Sequence, residues 1–374
     1  METLRIAFVY DVIYPWVKGG VEKRIYEIAG RLAKKHEVHV YGYKLWEGHD
    51  EIERDGIHYH GTVKVDRVSL YAGSRRSVLP PLRHALALIP TLKEARFDVI
   101  DCQASPYLPA YSLKLLDLDN VFITWHEFWG EYWYDYLGGM GLFGRAVERG
   151  LFSFERHISV SQKTKLDLLE AGLRKPIRVV PNGIDYELIR SVKPAELESD
   201  FIFVGRLIPE KGVDLLLRSL AIIKADLPDL RAVIIGDGPE RGRLEVLARE
   251  LGIGSNVTFV GFLSSYEEVI AHMKASRVFA FPSRREGFGM VVLEAMAAGI
   301  PVVTVRHPMN ASTFLVEHGK NGFIVDMDVK AFARDLSFAF AESGRLGACA
   351  GKTARRYDWD RIVRDLLSAY EVVP

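Results

Sequence analysis

A chain of 374 residues exceeds what one hydrophobic core usually serves, so two domains are expected. Apolar residues make up 48% and charged residues 26%, the profile of an ordinary soluble globular protein. The 49 cations balance the 49 anions, and no long basic run exists, so nucleic acid is excluded as the main partner.

The two cysteines, Cys102 and Cys349, are too few and too distant for a disulfide framework or a cysteine metal site. No apolar run reaches membrane-spanning length, and residues 4–10 read as a first strand rather than a signal peptide. The expected location is the cytoplasm, with peripheral contact at the inner membrane face.

Strand and helix signals then alternate. Residues 4–10 form a strand, and residues 21–35 a helix whose Val21, Ile25, Ile28, Ala29 and Leu32 share one face. Strands follow at 37–43, 57–60, 98–102, 121–125, 157–160 and 177–181. The polar stretch 193–200 lacks periodicity and reads as a linker. The pattern restarts with strands at 201–205, 231–236, 256–260, 277–281, 300–305 and 322–325. Helices at 213–225, 241–251, 266–274 and 290–298 separate them, and Trp359, Ile362, Leu366, Leu367 and Tyr370 mark a tail helix. Such alternation predicts α/β architecture: two Rossmann-like doubly wound domains facing an interdomain cleft, with ligand held outside the strands' carboxyl ends. The expected division is 1–190, 191–355 and a tail helix at 356–374 that returns to the first domain.

Between the first strand and helix, Lys18-Gly19-Gly20 offers backbone amides at a helix start. His126 ends the strand 121–125, where an imidazole suits a hydrogen bond to a sugar hydroxyl. Seven aromatic residues crowd positions 125–136, suited equally to sugar stacking, a membrane interface or core packing. Arg75-Arg76 with Leu79, Leu82, Leu86 and Leu88 reads as an ordinary helix before it reads as a lipid-facing surface. Asp117-Leu118-Asp119 has the form of a metal motif but lies between a helix and a strand, at the wrong sheet edge.

In the second half, Gly205-Arg206-Leu207-Ile208-Pro209-Glu210-Lys211-Gly212 follows a strand and opens a helix. Free amides there suit phosphate, with Arg206 forking onto its oxygens and Lys211 adding a point charge. The spacing is not that of a Walker loop. Gly236 and Gly238 supply a second glycine loop, a wall for a nucleotide base. Glu286 and Glu294 stand eight positions apart, the first before Gly287-Phe288-Gly289, the second on an apolar helix. A buried carboxylate needs a partner, and a ligand's hydroxyl pair would serve.

Together these motifs resemble a retaining glycosyltransferase of family 4 with the GT-B fold. The resemblance runs from the Gly19-Gly20 loop to Trp359. It rests on the Glu286-to-Glu294 motif, the Gly205–Gly212 loop, and Pro181-Asn182-Gly183-Ile184-Asp185 at the domain junction. It implies a nucleotide diphosphate sugar donor (UDP-, GDP- or ADP-linked) and a carbohydrate or lipid-linked acceptor. Arg206 and Lys211 would hold the diphosphate, Glu294 the ribose, and Glu286 the sugar beside the amides of Gly287, Phe288 and Gly289. His126 would lie near the donor sugar, with no metal and no cofactor. Lys18 directly abuts Gly19, where the polymer synthases of this kind carry K-x-G-G, so a lipid, small molecule or oligosaccharide is the expected acceptor. A sugar-nucleotide epimerase or hydrolase, or a non-catalytic binding subunit, is the alternative.

Overall fold

The structure, a computed structural model, describes residues 3–66, 71–72 and 75–370. The chain divides into two compact units, Met1–Pro181 with Ile362–Pro374, and Asn182–Arg361.

The first unit is built on β1 (Arg5–Val9), β2 (Glu37–Lys44), β3 (Glu51–Arg54) and β4 (Ile57–Lys64), followed by the short pair β5 (Tyr71–Ala72) and β6 (Arg75–Arg76). It continues with β7 (Val99–Gln103), β8 (Val121–Trp125), β9 (Arg156–Ser159) and β10 (Ile177–Val179). Its helices are α1 (Gly20–Leu32), α2 (Leu79–Lys93), α3 (Leu108–Leu115), α4 (Tyr132–Leu137), α5 (Gly141–Gly150) and α6 (Gln162–Glu170). Eight strands form one sheet in the order β10-β9-β8-β7-β1-β2-β4-β3. Every residue of β7 and β8 is buried, as expected for parallel strands covered on both faces.

One strand departs from the all-parallel expectation. β3 runs antiparallel to β4 at the sheet edge. Asp55 and Gly56, with φ of 55° and 74°, make the tight reversal between them. Asp-Gly is the strongest local signal for such a hairpin, and it stands in the sequence.

The second unit carries α7 (Tyr186–Ser191), β11 (Ser199–Val204), α8 (Val213–Ile223), β12 (Ala232–Ile235), α9 (Arg241–Glu250) and β13 (Val257–Gly261). Then come α10 (Tyr266–Lys274), β14 (Ser276–Phe281), α11 (Met290–Ala297), β15 (Val302–Val305), β16 (Gly322–Val325), α12 (Val329–Ala341) and α13 (Ser343–Ala354). Its sheet is wholly parallel, in the order β13-β12-β11-β14-β15-β16. Strand order reverses between β11 and β14 here, and between β1 and β7 in the first unit. In open parallel sheets that reversal opens a crevice at the strands' carboxyl ends, where ligands bind.

The division after Pro181 falls earlier than residue 190 because α7 is anchored in the second unit. Lys274 Nζ donates to the carbonyls of Ile189, Arg190 and Val192 at 3.2, 2.6 and 2.5 Å, closing the C-terminal end of α7. The polar stretch 193–200 is shorter as a linker than expected, since Ser199 already belongs to β11 and its hydroxyl meets that of Ser276 at 2.7 Å. α14 (Trp359–Tyr370) begins in the second unit, with Trp359 fully buried, and its residues from Ile362 belong to the first. The sequence expectation that this helix reaches residue 373 ends outside the described residues. Among the described residues no helix is long and apolar enough to cross a membrane.

Candidate active site

At the reversal point of the second unit, three loops lock together. Gly205 donates its amide to Ile235 at 3.0 Å, Leu207 to Asp237 at 2.9 Å, and Glu240 back to Leu207 at 3.0 Å. Gly236 has φ of 131°, and a Cβ there would collide with the Gly205 carbonyl. Only glycine fits such a position, so Gly205, Gly236 and Gly238 form one continuous backbone wall after β11 and β12. Arg206 rises from this wall exposed: its carbonyl accepts from the Ile208 amide at 3.1 Å, and its guanidinium has no hydrogen bond or ion pair to any described residue. An unpaired guanidinium at the carboxyl end of a parallel sheet is available to an anion.

The loop after β14 is stapled on both sides. Arg284 donates its amide to Glu210 at 2.8 Å; Glu286 donates to Met309 and accepts from Ala311, each at 2.9 Å. Two loops from adjacent strands are thus held in register, and their side chains meet. Lys211 Nζ donates to Glu286 Oε1, which also accepts from the Ser283 hydroxyl at 2.8 Å. The ammonium lies 5.4 Å from the centre of the Phe281 ring. Both members of the ion pair are mostly covered, with 15% and 14% of their side chains exposed.

Gly289 starts α11 with φ of 96°, and an added Cβ would stand 2.7 Å from Ser312 Cβ. Phe288 is buried, its ring 6.2 Å from that of Tyr357, so any ligand contact it makes is through backbone. Glu294 lies on α11 and is 8% exposed. The structure therefore brings Arg206, Lys211, Glu286 and the Gly287-Phe288-Gly289 turn to one edge of one sheet.

In the first unit, Gly19 caps α1 in extended backbone that any residue could adopt. Its missing side chain makes room instead for the buried Glu22, whose carboxylate a Cβ would strike. That carboxylate already occupies the positive end of the helix beside Gly19 and Gly20. Its charge disfavours a phosphate there.

His126 follows β8, half-buried, with Nε2 at 2.8 Å from Gln103 Oε1. Burial first, and the nearby Arg24 charge second, push its pKa down to about 3, so the ring is neutral at pH 7. Behind it lies a buried network. Asp101 accepts from the Thr124 hydroxyl at 2.6 Å, the Gln103 amide at 2.8 Å and the Tyr370 hydroxyl at 2.6 Å. Burial raises the Asp101 pKa, opposed by these donors and by Arg24. Arg24 itself, pulled down to about 10 by burial, donates to the carbonyls of Pro181 and Val180 at 2.5 and 3.1 Å.

The aromatic segment is packed internally in part, with Trp125 buried, Tyr134 exposed and the other five rings partly covered. Trp125 is fully buried, and the Trp129 and Trp133 rings lie 4.7 Å apart. At its centre the buried Glu148 accepts from the amides of Trp129 and Gly130 at 2.9 Å, the Tyr107 hydroxyl at 2.9 Å and the Trp133 indole at 3.1 Å. Leu88 is buried in α2 while Leu79, Leu82 and Leu86 are exposed; the Arg75 and Arg76 side chains lie outside the described residues. Asp117 and Asp119 occupy the turn between α3 and β8, at the amino end of that strand.

The sequence reading missed Ser283, Arg24, Asp101, Gln103 and Tyr370. A signal existed for three of them. Arg24 stands on the apolar face of α1, three residues after Val21, and Asp101 and Gln103 interrupt an otherwise apolar strand. Tyr370 gave none, because its partner lies 269 residues away.

A family model for glycosyl transferases group 1 matches residues 186–356, and one for glycosyltransferase family 4 matches residues 18–188. A GDP-mannose-dependent alpha-(1-6)-phosphatidylinositol monomannoside mannosyltransferase of Mycolicibacterium smegmatis is 35% identical over 167 residues, covering 42% of this chain and 43% of that protein. A D-inositol 3-phosphate glycosyltransferase of Corynebacterium urealyticum is 35% identical over 183 residues, covering 46% of this chain and 42% of that protein. The chain thus spans about half the length of the curated relatives it matches. Among solved structures, sucrose-phosphate synthase from Thermosynechococcus elongatus superposes with a TM-score of 0.79 at 20% identity, over 98% of both chains. Anabaena HepE in complex with UDP and glucose gives 0.75 at 21%, over 99% of this chain and 100% of that one. These likenesses establish the two-domain GT-B fold.

Proposed function

We propose that this chain, which belongs to family 4 of the glycosyltransferases, moves a hexose-type sugar from a nucleotide diphosphate sugar to a lipid, small-molecule or oligosaccharide acceptor. The observation that carries this reading is the Lys211–Glu286 pair, with the unpaired Arg206 guanidinium on the same loop as Lys211, on two interlocked loops at the reversal point of one parallel sheet.

In this reading Arg206 and Lys211 bind the diphosphate. Their charges stabilise the negative charge that develops as the bond from anomeric carbon to phosphate oxygen breaks. Glu286 takes hydroxyls of the transferred sugar beside the amides of Gly287, Phe288 and Gly289. Glu294 takes the ribose hydroxyls, and Gly205, Gly236 and Gly238 wall the base. In the first unit, His126 and the amides of Gly19 and Gly20 take sugar hydroxyls; the second unit takes the nucleotide diphosphate. The acceptor oxygen attacks on the face the phosphate leaves, its proton passes to the departing phosphate oxygen, and anomeric configuration is retained. Cationic side chains fill the electrostatic role of a metal, so the reaction is metal-independent. The inositol-containing acceptors in the names of two relatives support a polyol or lipid headgroup as acceptor.

The test incubates the protein with UDP-, GDP- and ADP-sugars, with and without phosphatidylinositol, inositol phosphate and oligosaccharide acceptors, in excess chelator. Acceptor-dependent release of one nucleoside diphosphate is expected, with retained configuration in the product. Release of an altered or free sugar without acceptor supports an epimerase or hydrolase instead. Activity restored only by magnesium overturns metal independence, and no consumption of any donor overturns the reading.

A further inference from the structure

Behind His126 runs an unbroken chain of buried polar groups with a definite sense. Asp101, Gln103, Thr124 and Tyr370 are each no more than 2% exposed, so their hydrogen bonds are not shared with bulk water. Asp101 Oδ1 accepts from both Thr124 and Gln103, which turns the Gln103 NH2 group toward the carboxylate. The opposite end of the amide, Oε1, then faces the imidazole. A carbonyl oxygen only accepts, so the hydrogen must sit on His126 Nε2. Nδ1 is left with its lone pair and makes no hydrogen bond to any described residue. The Tyr370 hydroxyl, from the last turn of α14, donates to the other carboxylate oxygen and completes the set.

We propose that Asp101 and Gln103 are positioning residues that lock His126 as the neutral Nε2–H tautomer, so that Nδ1 accepts a hydrogen bond from a hydroxyl of the bound sugar. The proposal rests on the reading of His126 as a sugar contact. It goes further by giving the direction of the bond and the groups that enforce it. His126 so held cannot donate through Nδ1, and it selects a hydroxyl that can give up its hydrogen at that point over one replaced by hydrogen or by an ether. Arg24, whose guanidinium holds the carbonyls of Val180 and Pro181, supplies the cation that Asp101 needs in a buried site. α1, β7, β8 and the end of α14 therefore share one polar network with His126 at its outer end.

The test is nitrogen-15 NMR of the whole protein labelled at histidine, at pH 7.5, alone and with UDP, GDP, ADP, UDP-glucose, GDP-mannose or ADP-glucose. His126 is expected to show a protonated Nε2 and an unprotonated Nδ1. The Nδ1 signal should move upfield with the sugar nucleotide that is consumed and stay in place with the matching diphosphate alone. Gln103→Met, close in volume, should bring both tautomers into exchange and lower kcat/KM about tenfold, the loss expected from one misdirected hydrogen bond. It should leave diphosphate affinity unchanged.

A protonated Nδ1 in the unsubstituted protein, or an unchanged tautomer and kcat/KM in Gln103→Met, overturns the proposal. The spectrum of the unsubstituted protein decides the lock even if Gln103→Met fails to fold. A locked tautomer in a protein that consumes no nucleotide sugar upholds the lock and overturns the sugar contact. Sugar transfer by a protein whose Nδ1 is protonated overturns the lock and leaves the transfer reading intact.

Discussion

The Lys211 ammonium donates to Glu286 Oε1, joining two loops that leave adjacent parallel strands 75 residues apart in sequence. The pair is therefore both a fastening between loops and a preset charge arrangement, cation and carboxylate side by side where a sugar diphosphate carries anion and hydroxyls.

Removing either partner is expected to lower turnover by about 10²–10³, the cost of losing one preorganised electrostatic contact. Lys211→Ala leaves Glu286 with only the Ser283 hydroxyl, and the mostly covered carboxylate then costs about 1–3 kcal/mol of stability. The double variant Lys211→Ala with Glu286→Ala should recover part of that stability and none of the turnover. Steady-state kinetics and urea denaturation of the three variants check this. Full turnover in either single variant contradicts the site assignment.

Arg206 behaves differently because nothing in the described protein pairs with its guanidinium. Arg206→Ala is expected to leave stability within about 0.5 kcal/mol, as for other exposed positions. Nucleoside diphosphate affinity should fall tenfold or more, and Arg206→Lys should restore only part of it because an ammonium cannot fork onto two oxygens. Calorimetric titration with UDP, GDP and ADP measures both effects.

Glu148 governs the aromatic segment without touching the proposed chemistry. Glu148→Ala strands four donors at once, the amides of Trp129 and Gly130, the Tyr107 hydroxyl and the Trp133 indole. At about 1 kcal/mol or more for each, a loss of several kcal/mol and altered tryptophan fluorescence are expected. Denaturation midpoints near those of the unsubstituted protein would show that water replaces the carboxylate.

Stability should fall as the pH drops below about 6.5. Burial holds His84 down to about 3 and His157 to about 4, against about 6.5 in an unfolded chain. Both are neutral when folded and take up a proton on unfolding once the pH drops below about 6.5. Their stabilising contribution is complete above that value and declines as pH falls toward 4, by up to about 1.4 kcal/mol per pH unit for each. Protonation of His157 also removes the lone pair that accepts from the Trp125 indole at 3.1 Å. Urea midpoints measured from pH 7.5 to 4.5 test the slope, and a flat profile between 6.5 and 5 contradicts it.

Much of this was legible in the order of residues. Apolar runs and helical periodicity placed β1, β7, β8, β11 and β14, because parallel strands buried on both faces leave an almost continuous apolar trace. Arg206, Lys211, Glu286 and Glu294 stood out as charged groups next to glycines after such runs. β3 was passed over because four residues, three of them charged, carry no apolar pattern; only Asp55-Gly56 announced the turn. α12 and α13 were unassigned, although Asp328 caps the first by accepting from Ala331 at 2.8 Å.

The sequence by itself determined two doubly wound domains and the residue types of a donor site, since burial pattern and turn chemistry are local properties. Tertiary structure alone decided that Lys211 meets Glu286, that Glu22 fills the space at Gly19, and that Tyr370 reaches Asp101. The physical reason is that hydrogen bonds between distant segments depend on strand order and on which loops the reversal points bring together. Neither can be read from spacing along the chain.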